Sequence, residues 1–360
     1  MKIVQLLPSA AFGDAIGNNA LAIQNILRDA GYETAVYARD IDKRLPPRAV
    51  LPFSRMPRLG KQDILLYHMG IGSDLNDQLP NLGGRLVIQY HNITPPKFFL
   101  PYDFNSYSSC AWGRRQLLSM ARMPQRCIAV SEYNKQDLLE AGFTCPIDVC
   151  PILIPFEDYQ QAPSQAVLDR YNDGWTNLIF VGRIAPHKHQ EDVIRAFAWY
   201  KKHLNPKSRL FLVGSGNIDR YTKRLHDYID LLGVKDVIFP GHIKFNEILA
   251  YYKLADVFLC MSEHEGFCVP LAEAMCFRVP IVARAAAAVP DTLDGSGVLL
   301  PDNDPVRAAL AVDRLVRDPA LREEVLASQD RRLQDFQYPV IRDQLLQILR
   351  DFINTPVESY

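Results

Sequence analysis

The segment Glu265-Gly-Phe-Cys-Val-Pro-Leu-Ala-Glu273 sets two carboxylates around a glycine-containing turn. Pro270 suits the first position of a helix, where the N–H it lacks would go unpaired in any case. That places Gly266, Phe267, Cys268 and Val269 in a loop over the helix start and Glu273 in the first turn. Free amides at a helix start, aligned with the helix dipole, favour an anion such as phosphate. Two acids at this spacing also occur as plain surface charges, so the neighbouring residues must decide.

In FVGRIAPHKHQEDVIRAF, Arg183 follows a strand-like run and Lys188 stands in the loop before a helix. A diphosphate needs two or more cations at fixed separation, and Arg offers a bidentate fork while Lys offers a compact charge. Taken alone, the pair reads equally well as solvated surface charge; joined to the anion-binding turn, it makes a diphosphate site. LFLVGSG ends another run with Gly214 and Gly216, where missing side chains let a ligand approach the backbone, or where the chain simply turns. No third glycine follows, which speaks against a nicotinamide dinucleotide fingerprint. Gly241-His242-Ile243 ends a further run, and its backbone could hydrogen-bond the edge of a base, with the His242 side chain itself structural or at the surface. Earlier in the chain, QYHNITPP puts His91 at a strand end, with His68 of LLYHMG as a lesser candidate. The loop from Ala11 to Asn19 carries Gly13 and Gly17, either as a close-approach wall or as an ordinary connection.

These residues need elements to hold them. KIVQLL, TAVYA, DILLYH, RLVIQYH and RCIAVS read as strands in the first half, and NLIFVGR, RLFLVGSG, DVIFPG, DVFLCMS and VPIVAR in the second. Helical stretches separate them, such as NNALAIQNILRDAG with Leu21, Ile23, Ile26 and Leu27 on one face. The alternation is that of α/β domains with parallel sheets. At 360 residues the chain exceeds one ordinary core, so two Rossmann-like doubly wound domains are expected. The boundaries fall at 1–162 and 163–338, with a polar hinge within 151–177 and a final helical segment over 339–360. Ligands in such sheets bind at the carboxyl ends of the strands, so two tandem domains would face each other across a cleft.

Composition excludes several classes. A net charge of −1 argues against nucleic acid as partner, and no apolar run reaches the length of a membrane span. MKIVQLLPSAAFGD reads as a first strand and not as a signal peptide. Seven cysteines without a CxxC pair fit reduced, cytoplasmic thiols. Cys260, Cys268 and Cys276 recur every eight residues but should fall on a strand, a loop and a helix, so the recurrence is read as coincidence and no metal is assigned. Asp40-Ile-Asp42 and Asp302-Asn-Asp304 have the spacing of a metal-binding DxD, yet the cations already assigned can neutralise a diphosphate without Mg2+. The basic, partly apolar stretches over 39–61 and 114–126 are either ordinary surface or a face for anionic lipid or a lipid-diphosphate acceptor.

FVGRIAPHKHQEDVIRAF, LFLVGSG and HEGFCVPLAEAMCFRVPIVA, in this order and separation, resemble the family 4 (group 1) retaining glycosyltransferases of GT-B fold, and the likeness extends over nearly the whole chain. The resemblance implies a nucleotide-diphosphate sugar, GDP- or UDP-linked, on the second domain and a glycan or lipid-linked acceptor on the first. It implies retention of the anomeric configuration and no further cofactor. It assigns Arg183 and Lys188 to the diphosphate, Glu265 to donor-sugar hydroxyls, Glu273 to the ribose, the amides near Phe267 and Cys268 to sugar or phosphate, and His91 to the vicinity of the donor sugar. It also implies that the last helix packs on the first domain. Similarity to bacterial mannosyltransferases of surface polysaccharide synthesis makes GDP-mannose the first donor candidate, with a cytoplasmic protein touching the inner membrane surface peripherally. The chain departs from the family in two places: AAFGDAIGN replaces a Gly-Gly loop, and Ala287-Ala288-Val289-Pro290-Asp291 replaces Gly-Gly-x-Pro-Glu. The competing readings are a GT-B epimerase or phosphorylase and a non-catalytic nucleotide-sugar sensor.

Overall fold

The computed structural model of the protein describes residues 1–241 and 243–356. The chain divides into two compact units: Met1–Lys97, Asn105–Ile154 and the segment from Phe336 onward form the first, and Phe98–Phe104 with Pro155–Asp335 form the second.

The first unit is built on seven parallel strands: β1 (Lys2–Ala10), β2 (Glu33–Ile41), β3 (Leu51–Pro52), β4 (Ile64–Met69), β5 (Arg85–Tyr90), β6 (Arg126–Ala129) and β7 (Ile147–Val149). Their order is β3-β2-β1-β4-β5-β6-β7. Every residue of β4 and β5 is buried, as expected of central strands covered by helices on both faces. The helix Ala15–Asp29 is capped by Asp14, whose carboxylate accepts from the Gly17 amide at 3.2 Å. One core cluster joins Ile3, Ile64, Leu66 and Val87 to Ile23 and Leu27 of that helix and to Ile341, Leu345, Ile348, Leu349 and Phe352 of the helix Tyr338–Asn354.

The second unit carries six parallel strands: β8 (Thr176–Val181), β9 (Ser208–Val213), β10 (Val237–Gly241), β11 (Val257–Cys260), β12 (Ile281–Arg284) and β13 (Val298–Leu300). They run in the order β10-β9-β8-β11-β12-β13. In each sheet the strand order reverses once, at β1/β4 and at β8/β11. Such reversal points open a crevice at the strand carboxyl ends, because the connections leave to opposite sides there. All ten strands expected from sequence are present. The three unforeseen ones, β3, β7 and β13, have two or three residues each, too short for a periodic signal.

Candidate active site

In the second unit the loops after β8 and β11 are stitched together at the reversal point. The His187 carbonyl accepts the amides of Glu263 at 3.0 Å and His264 at 3.3 Å. Lys188 Nζ lies 2.5 Å from Glu265 Oε2, with side chains 15% and 6% exposed, so this ion pair is largely withdrawn from water. His189, in left-handed backbone, bonds Asp192 Oδ2 at 3.2 Å and Glu263 Oε2 at 3.1 Å. Burial opposes its charged form, but these carboxylates outweigh it and its pKa is raised. Beneath them, Gln190 donates to the Arg183 carbonyl at 2.9 Å, and the Ile184 amide donates to the Ser215 carbonyl at 3.0 Å. Arg183 itself is exposed and makes no ion pair with any described residue.

The turn after β11 leads into the helix Val269–Cys276. It differs from expectation by one residue. Cys268 is the N-cap, in left-handed conformation at φ 70°, so Val269 is the first helical residue and Pro270 the second. Glu273 therefore lies beyond the first turn, which holds no acid. The loop is held from two further sides: Ala288 donates its amide to the Glu265 carbonyl at 3.3 Å, and the Thr292 hydroxyl donates to the Phe267 carbonyl. Ala287 keeps a left-handed φ of 49° despite its side chain.

Glu273 accepts from the Tyr159 hydroxyl at 2.7 Å and from the Tyr252 hydroxyl at 2.6 Å. Burial raises its pKa, and the two phenols partly counter this by bonding the charged form. Neither tyrosine was singled out from sequence, because nothing at residues 159 or 252 marks them as partners of an acid more than twenty positions away in the chain. His187 was missed as well. It is 3% exposed, edge-on to Phe99 at 5.6 Å between ring centroids, and burial pushes its pKa well down, so it is neutral.

The two glycines after β9 have packing reasons. A Cβ at Gly214 would meet the Gly182 carbonyl oxygen at 2.0 Å, and one at Gly216 would meet Thr222 Oγ1 at 2.6 Å. What approaches these backbones closely in this structure is the chain itself, the loop after β8 at Gly214 and the helix Asp219–Leu232 at Gly216. Ile243 is half-buried beyond β10, and His242 lies outside the described residues. Cys260 and Cys268 do converge, although one ends a strand and the other caps a helix, because the loop folds back over the β11 terminus. Their sulfurs share a hydrogen bond that favours the thiolate at Cys260 and holds the proton on Cys268. Cys276 is not part of this group.

In the first unit, His68 and His91 form a buried relay. His68 Nε2 lies 2.9 Å from Gln5 Oε1, and Gln5 donates its amide to the Ala20 carbonyl at 2.9 Å. Gln5 thus presents an acceptor, so His68 carries its proton on Nε2 and leaves Nδ1 to accept from His91 Nε2 at 3.0 Å. His91 then keeps a lone pair on Nδ1, which is buried and has no partner among the described residues. Burial depresses both imidazoles, His91 to about 3, and both are neutral. The loop after β1 is shorter than expected: the helix begins at Ala15, so Gly17 lies in its first turn against the Ala11 carbonyl, and only Gly13, at φ 76°, belongs to the turn.

Residues 170–329 match the profile of a family described as glycosyl transferases group 1. The chain is 28% identical over 264 residues to a D-inositol 3-phosphate glycosyltransferase of Kineococcus radiotolerans, covering 66% of this chain and 59% of that protein. The match thus spans less than two thirds of the relative's length. Among solved structures, the Anabaena protein HepE in complex with UDP-glucose superposes with a TM-score of 0.76 at 20% identity, over 98% of this chain and all of that one. Sucrose-phosphate synthase from Thermosynechococcus elongatus gives 0.76 at 17% identity, over 99% of this chain and 100% of the other. The fold is therefore GT-B, with two Rossmann-like sheets.

Proposed function

We propose that the protein is a retaining glycosyltransferase that moves a hexose from a nucleotide-diphosphate sugar to a hydroxyl acceptor, forming an α-linkage. One observation carries the reading. At the β8/β11 reversal, the Lys188–Glu265 pair ties the loop after β8, which also carries the exposed Arg183, to the loop that leads into the helix Val269–Cys276. Two cations and a set of amides suit a diphosphate leaving group, and a buried carboxylate beside them suits sugar hydroxyls. The group 1 profile over residues 170–329 supports the same class. Arg183 and Lys188 grip the diphosphate, the amides of Gly266 to Val269 line sugar and phosphate, and Glu265 orients the hexose. Glu273 meets the ribose, and Gly214, Gly216 and Ile243 line the nucleotide.

A front-side displacement fits these residues better than a covalent intermediate. With Glu265 given to the sugar hydroxyls and Glu273, clasped by two phenols, to the ribose, no acid is assigned to attack the anomeric carbon. In the front-side route the departing phosphate takes the acceptor's proton, while Lys188 and Arg183 stabilise the charge growing on it. GDP-mannose is the first donor candidate by the sequence resemblance; a UDP-hexose is favoured by the likeness to HepE. The acceptor is a glycan or lipid-linked sugar, with a phosphorylated polyol as the second choice from the Kineococcus relative's name.

A thermal-shift panel of UDP, GDP, ADP and their sugars tests the reading. Saturation at 100 times the dissociation constant adds about 2.7 kcal/mol to stability, and one base should stand out. Lys188→Ala in the same panel should keep most of the donor shift and lose most of the turnover. A panel without any shift would remove the proposal.

A further inference from the structure

Cys260 Sγ, Cys268 Sγ and a carboxylate oxygen of Glu265 all lie within 4.8 Å of one another. The three residues are 0%, 7% and 6% exposed. Cys260 sits at the end of β11, Cys268 at the helix cap, and Glu265 in the loop joining them, so strand, loop and helix start fix the trio from three directions. We propose that this trio is a binding site for a thiophilic divalent cation, Zn2+ or Cd2+, with two thiolates and one carboxylate as ligands and water in the fourth position.

Four arguments carry this. Two soft sulfurs and one oxygen form a donor set suited to Zn2+ and its congeners and ill suited to Mg2+ or Ca2+. The geometry is close: a tetrahedral edge of about 3.8 Å follows from Zn–S bonds of about 2.3 Å, so the atoms need move by no more than about 1 Å. The charges balance. The two thiols release their protons to solvent and the thiolates cancel the ion's charge, while Lys188, 2.5 Å from Glu265 Oε2, continues to cancel the carboxylate. Lastly, Glu265 has a second oxygen to offer, so the ion need not break the existing pair.

The site has a consequence that rests on the glycosyl-transfer reading. Glu265 and the loop that caps the helix would serve either the ion or the donor sugar, so the cation acts as a reversible inhibitor, lifted by a chelator.

The test uses the full chain under reducing conditions, titrated with Cd2+ and followed by the ultraviolet sulfur-to-cadmium charge-transfer band. One tight equivalent is expected, displaced by Zn2+. Cys268→Gly removes a ligand while keeping the left-handed backbone that glycine adopts freely, so it should fold and weaken binding at least tenfold. Cys260→Ser should do the same. Cys127→Ser is the control, since Cys127 and Cys145 form the other close thiol pair, 3.6 Å apart; it should leave the band intact. No band in the wild type, or a band that survives Cys268→Gly and vanishes in Cys127→Ser, overturns the site. A protein that shows the band but transfers no sugar overturns the proposed function alone, and one that transfers sugar without the band overturns the metal site alone.

Discussion

At the scale of single residues, the acids and cations of the second unit were legible because their types are costly to hold close together without a purpose. Lys188 and Glu265 are 77 positions apart in the chain, yet both were picked out, and they form a largely buried pair. What local sequence could not reveal is who satisfies each group. Glu273 stands out as a carboxylate near a helix start, but its phenol partners belong to distant segments. Tyr252→Phe removes a bond to that carboxylate and should cost about 1.5–3 kcal/mol, the range for hydrogen bonds to charged groups. The pH dependence has a definite sign. Burial already raises the Glu273 pKa, and losing a phenol raises it further, so the variant's deficit is small in acid, where the carboxyl is protonated, and full above its titration. Urea unfolding at two pH values checks this, and an equal deficit at both would place the loss in the hydroxyl's contact with the Pro270 carbonyl instead.

At the scale of elements, hydrophobic runs revealed the ten longer strands, whereas helix starts depended on detail. Pro270 suggested a helix beginning at itself, but Cys268 takes a left-handed backbone and the helix starts at Val269. No propensity announces such a residue, since cysteine seldom adopts it; the loop's tethers to Ala288 and Thr292 impose it. Gly214 shows the reverse case, a feature visible in sequence whose reason lies in packing. A methyl group there would press on the Gly182 carbonyl at 2.0 Å, and φ of 151° disfavours any side chain. Gly214→Ala should therefore destabilise the protein by more than about 2 kcal/mol in chemical denaturation, with the loop between β8 and the helix Gln190–His203 displaced. A change under about 0.5 kcal/mol would mean that the two loops do not approach so closely.

At the scale of the whole molecule, the chain does not fold in two consecutive pieces. The helix Tyr338–Asn354 belongs to the first unit, and Phe98–Phe104 belongs to the second. Phe352 is 2% exposed in the first unit's core, under the Arg85 guanidinium, which also donates to the Phe352 carbonyl at 2.7 Å. Phe352→Ala should cost about 3–5 kcal/mol. Hydrogen exchange should show the loss in the amides of β1, β4 and β5, whose side chains share that core cluster, and not in the second sheet. Equal loss of protection in both sheets would refute this assignment of the core.

Sequence by itself determined the α/β class, the ten principal strands and the residue types at the strand ends, because hydrophobic period and glycine, proline and charge placement are local properties of the chain. Only the tertiary structure decided which of those residues meet. The order of strands in a parallel sheet sets which two loops become neighbours, and no local signal encodes that β8 lies beside β11. The Lys188–Glu265 pair, the clasp of Tyr159 and Tyr252 on Glu273, the neutral relay of His68 and His91, and the meeting of Cys260 with Cys268 are all products of that order. Each joins segments, or opposite ends of one loop, that acquire their distance only when the sheets have formed and buried their faces.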